Sequence, residues 1–319
     1  MSAATLEKAP APVRRPAPRG LVHTVLRLHR TALWIWLGFV AFTTGFLLWL
    51  TGPGADATAH RLEKFGYGGV MAAAYSEDTL LYFTSGTYDN LFYDPDTLIT
   101  LASFAVALFA GGPLIARELE SGTAQLAWTQ SVSPARWLAV KLAVPAAFVI
   151  VGTGLLTVLY RLLWSAHSNL LIAGIGPRSL YFSLGPATVA APLLGLALGA
   201  LIGLTVRRTL PALAYSGFAY FLIYAFRGNH WPFQGRYQQP ELHSHSSAFT
   251  ATGAEISDPG CYSDQACLAK HDIVRFTREY LPSPEYWPRQ LLETGVLLAL
   301  TALAVALAFG VLRRRAATV

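Results

Sequence analysis

Arg161, Arg227 and Glu293 lie at or inside long apolar runs of the sequence. Charge is costly in hydrocarbon, so such residues pair with an opposite charge or touch a polar cargo. By depth, Glu293 can pair with either arginine. An ion pair that holds helices together accounts for it as well as substrate contact does. His230, His243, His245 and His271 share one polar stretch, and histidines can ligate a metal. A single His-x-His in a loop reads instead as solvated side chains, so no metal site is assigned. The only cysteines, Cys261 and Cys267, are six positions apart, which a disulfide can bridge in an oxidising compartment. It would staple a loop and carry no catalysis. No GxxxxGK(S/T) loop, HExxH, paired CxxC or GxSxG occurs, and there is no Gly-Lys dipeptide anywhere. The chain therefore has no P-loop with which to bind ATP, and no catalytic residue is assigned.

The elements that must position these residues are membrane spans. Of 319 residues, 53% are hydrophobic and only 13% charged, with mean hydropathy +0.41. Soluble domains carry about 25% charged residues. The 8 Trp, 14 Tyr and 17 Phe exclude a disordered chain. Six apolar stretches each reach the ~20 residues needed to cross hydrocarbon: about 32–51, 97–116, 138–164, 180–206, 210–226 and 290–312. Helices are required because lipid satisfies no backbone polar group, and the ten-residue alternation of a barrel is missing. The expected fold is an all-α bundle of six transmembrane helices. In the fourth, Gly195, Gly199 and Gly203 recur every four residues, a spacing that lets another helix approach closely.

Charge sets the expected orientation. The N-terminal arm, the 2–3 and 4–5 connections and the C-terminal tail hold fourteen basic and three acidic residues; the other side holds ten and fourteen. Both termini are therefore expected in the cytoplasm of a bacterial cell, with a multi-pass chain in the cell membrane. The net charge of +6 then reflects topology and contact with anionic lipid, not nucleic acid. Residues 1–20 read as a disordered, proline-rich tail. At 100° per residue, Leu21, Val22, Val25 and Leu28 cluster opposite Arg19, His23, Arg27 and Arg30. This predicts an amphipathic helix lying on the inner membrane surface. Outer loops are expected at 52–96 and 228–289, the latter with helical spacing over 268–280.

The connection between the second and third spans, 116–141, reads as a helix leaving the membrane, a turn and a helix re-entering it. Glu118 and Glu120 would project into the cytoplasm, and Gly122 would break the first helix. Ser133-Pro134 supplies an N-cap with proline at the first helical position. Arg136 and Lys141 would sit near the headgroups. The run Arg117, Glu118, Glu120, Gly122, Thr123, then Leu126, Ser133, Arg136 and Lys141, resembles the coupling segment of ABC-2 type transporter permeases. Leu126 through Val132, Arg136-Trp137-Leu138 and Glu293-Thr294-Gly295 look most like an actinobacterial subgroup. The resemblance implies a permease subunit of an ATP-driven exporter of drug-like, antibiotic or lipid-like molecules. A dimer of separate ATPase subunits would dock on Glu118, Glu120, Gly122, Thr123, Arg136 and Lys141, and would itself bind ATP and Mg. A second permease copy or a sister permease would complete the complex. Two other classes compete: a sensor or immunity component that signals through the same coupling without moving cargo, and an outer-face lipid-modifying enzyme. For the enzyme, acid and base groups would have to come from Glu293, His167, Arg161 and the loop histidines.

Overall fold

A computed structural model describes residues 18–64, 87–129, 132–167, 170, 180–230, 238–240, 247–257, 259, 261, 265–279 and 283–316. The tail through residue 17, His243 and His245 lie outside the described residues. Helix α1 (Pro18–Leu28) precedes α2 (Arg30–Trp49), which runs through a π-helical turn at Leu50–Gly54 into α3 (Ala55–Lys64). Helix α4 (Thr87–Ala105) passes through a second π-turn at Val106–Gly111 into α5 (Gly112–Glu120). Then come α6 (Thr123–Thr129), α7 (Pro134–His167), α8 (Ala187–Val206) and α9 (Thr209–His230). Strands β1 (Gln238–Pro240), β2 (Ser247–Thr250) and β3 (Glu255–Ser257), helix α10 (Gln265–Lys270), strand β4 (Ile273–Glu279) and helix α11 (Ser283–Ala316) complete the chain.

Six helical segments are long and apolar enough to cross a membrane: Arg30–Arg61, Leu91–Glu120, Pro134–His167, Ala187–Val206, Thr209–Gly228 and Pro284–Arg315. The protein is an all-α, multi-pass membrane bundle. Helix α8 is its axis and is the most buried of the six. Its glycines explain why. Built onto Gly199, a Cβ would lie 2.6 Å from Gly111 Cα and Gly112 N. On Gly195 it would lie 2.8 Å from Ala107 Cβ. The backbones of α8 and the α4–α5 span are therefore in direct contact. Elsewhere Trp36 of α2 donates to Phe148 O of α7 at 3.0 Å.

Two sequence expectations change. The fourth span, expected as one helix from Leu180, is interrupted: Leu180 and Tyr181 are helical, residues 182–186 turn and bend, and α8 begins at Ala187, the 180–186 segment packing against the helix ends. Pro186 occupies the N-cap of α8, where its missing N–H costs nothing. The expected helix over 268–280 is instead the end of α10 followed by β4. That strand joins an antiparallel sheet ordered β1-β4-β2-β3. Its β-branched Ile273, Val274 and Thr277 favour extended backbone. In the β2–β4 pair Arg275 lies opposite Phe249 and stacks 4.4 Å from its ring centre. Cys261 and Cys267 are joined in a disulfide beside α10.

Candidate functional site

The elbow between the second and third spans is built from α5, α6 and the start of α7. Gly122 turns the chain with φ +74°, a conformation glycine adopts without a Cβ clash. Thr123 Oγ1 donates to Glu118 O at 3.3 Å and closes the corner. Ser133 Oγ accepts from Arg136 N at 3.4 Å, capping α7. Ala124, Ile115, Trp137, Leu138, Leu204 and Leu312 form the apolar cluster beneath.

Glu118 does not project into solvent. It forms an ion pair with Lys141, whose side chain is 3% exposed, and accepts from Trp137 Nε1 at 2.9 Å. A carboxylate this close to the apolar cluster needs such partners. Lys141 Nζ also lies 3.0 Å from His29 Nε2, at the bend between α1 and α2. Burial first, then the Lys141 charge, hold the His29 imidazole down at about 4, while Glu118 pulls the other way. The ring is thus neutral near pH 7 and accepts from the ammonium. Glu120 is exposed, yet it too is engaged: its carboxylate accepts from Thr209 N at 2.9 Å and from Thr209 Oγ1, capping α9. The elbow is therefore fastened to three other parts of the bundle. Its exposed side carries Arg117, Gly122, Thr123, Gln125 and Thr129, with Leu126 uncovered among them at 57% exposure. Arg136 is half-buried in the first turn of α7.

At the opposite end of the bundle, four spans grip the 180–186 segment. Asp96 of α4 accepts from Ser183 Oγ. Arg161 of α7 donates to Leu184 O at 3.2 Å and stacks 4.4 Å from the Trp287 ring centre. Gln290 of α11 donates to Tyr181 O and accepts from Ala187 N at 3.4 Å. Arg227 of α9 stacks 4.8 Å from the Phe182 ring centre and pairs with Glu293 Oε1 at 2.5 Å. Glu293 therefore takes Arg227, not Arg161, as its partner.

The family model described as "ABC-2 membrane transporter related" matches residues 37–227. That range covers all or most of five of the six spans and the whole elbow. The chain belongs to this ABC-2 transporter family. No curated protein and no solved structure matches it.

In this ABC-2 permease, the structure gathers Glu118 and Lys141 into one cluster and sets Glu120 apart, at the end of α5, where it caps α9. Gly122 and Thr123 form the corner between α5 and α6. Arg227 and Glu293 meet, while Arg161 holds a separate place about the same segment. Gly195, Gly199 and Gly203 line the contact of α8 with the second span. Cys261, Cys267 and His271 lie together, but the disulfide leaves no thiolate to offer a metal. Sequence reasoning missed His29, Trp137 and Thr209 at the elbow, and Asp96, Ser183 and Gln290 at the far end. Asp96 and Gln290 carried a usable signal, since each is a polar residue at the very edge of an apolar stretch. Ser183 and His29 carried none, because their partners lie in distant segments.

Proposed function

We propose that this permease is the membrane subunit of an exporter driven by a separately encoded pair of ATPase subunits, in the bacterial cell membrane with both termini cytoplasmic. One observation carries the reading. The elbow presents an uncovered leucine on a polar face, while Glu118 is bonded to Lys141, Lys141 to His29, and Glu120 to Thr209. A partner docked on Leu126 and Thr123 would move the elbow, and the bonded cluster would pass that movement to α1–α2, α7 and α9 together. ATP and Mg would be held by the partner, which fits a chain without a phosphate-binding loop. A second permease copy or a sister chain would complete the path for a drug-like, antibiotic or lipid-like cargo. An outer-face lipid-modifying enzyme is disfavoured because the Glu293 carboxylate is engaged by Arg227.

The test is co-purification of the tagged chain in mild detergent, with mass spectrometry of what accompanies it. A near-stoichiometric P-loop ATPase is expected, and Leu126→Glu should lose it while still inserting in the membrane. Isolation of the chain alone in two detergents and in nanodiscs would overturn the reading.

A further inference from the structure

At the elbow end of the bundle, Arg207 and Arg208 link the end of α8 to the start of α9, and Arg313, Arg314 and Arg315 lie in the last turns of α11. The fold joins the two groups through one of them. Arg315 reaches from α11 to donate to Leu204 O, an otherwise unsatisfied carbonyl at the end of α8, and also bonds Thr205 O at 3.5 Å. This places it within electrostatic reach of Arg207. Arg207 itself closes α8 with a left-handed backbone, φ +59°. Glycine is the low-cost residue at such a cap, and a side chain there costs about 1–2 kcal/mol. An arginine held at that position points to a use for its guanidinium.

Among the described residues, no carboxylate forms an ion pair with Arg207, Arg208, Arg313 or Arg314. Glu120, within reach of Arg208, has its carboxylate on Thr209. Lys141, by contrast, is turned inward onto Glu118. The cluster caps the ends of two membrane spans, which is the level of the lipid headgroups. A planar guanidinium fork matches phosphate oxygens.

We propose that these arginines form a binding site for the phosphate of an anionic phospholipid, seated between the ends of α8 and α11. The site does not depend on any ATPase partner, so its failure would leave the transporter reading untouched. It is more specific than a general excess of positive charge on one side of the membrane, and the experiment separates the two.

The purified chain in detergent is titrated with phosphatidylglycerol and, separately, phosphatidylcholine, and bound lipid is counted by native mass spectrometry. Phosphatidylglycerol is expected to bind first and more tightly. Arg207→Gln with Arg314→Gln should weaken it by roughly 25-fold, about fivefold per arginine removed. Arg27→Gln with Arg30→Gln removes the same charge from the exposed face of α1–α2 and should weaken that binding clearly less than the Arg207 and Arg314 pair does. If the paired variant does not fold, Arg314→Gln alone, at an exposed position in the last turns of α11, should give about fivefold. Equal losses in both pairs, no preference over phosphatidylcholine, or displacement of the lipid by millimolar inorganic phosphate would overturn the proposal.

Discussion

Gly199→Ala tests whether the axis of the bundle rests on backbone contact. The added Cβ would lie 2.6 Å from Gly111 Cα, against 3.4–4 Å for ordinary contact. The atoms it meets are backbone, at the junction of the π-turn and α5, so no side chain can rotate away. The two spans must separate by about an ångström, and overpacking of this kind costs about 1–3 kcal/mol. Alanine also gains about 1 kcal/mol of helix preference over glycine, which masks part of the loss. Gly295→Ala supplies the reference, since a Cβ there meets nothing within 4 Å. Both variants gain the same preference, so the difference between them isolates the steric cost. Thermal unfolding of the purified protein in one detergent, followed by tryptophan fluorescence, should place Gly199→Ala several degrees below Gly295→Ala. Coincident melting curves would refute the close approach of α8 to the second span.

Two further outcomes follow from the elbow cluster. Lys141→Met leaves Glu118 facing an apolar surface without its cation and should destabilise by roughly 3–5 kcal/mol; adding Glu118→Gln should recover part of it in the same melting assay. For pH, the unfolded His29 binds a proton below its ordinary 6.5, whereas the folded one resists until about 4. The unfolded state therefore holds more protons in that window. The cluster's contribution is complete above pH 6.5 and is lost as the pH falls toward 4. A melting series across the window should slope accordingly, and His29→Gln should flatten it; an unchanged slope would remove His29 from the cluster.

Composition and run length by themselves determined that this chain is a six-span helical membrane protein, because the length of an apolar run and the need to satisfy backbone groups in lipid are local properties. The elbow was legible for the same reason: Gly122 and Ser133-Pro134 act on their immediate neighbours. The resemblance carried by Arg117 through Lys141 then pointed to the transporter family. Partnership was decided only in three dimensions. Glu118 and Glu120, two residues apart on one short helix, read alike as cytoplasmic charges, yet one finds Lys141 and Trp137 while the other caps α9. Glu293 had two candidate arginines at similar depth, and the packing of α9 and α11 around α8 selected Arg227. Residues 273–279 had helical spacing on paper but became a strand once β1 and β2 were available to satisfy its hydrogen bonds. Which polar groups meet depends on how helices distant in sequence are brought side by side. In this bundle that is governed by the small residues along α8, whose missing side chains let the second span close against it.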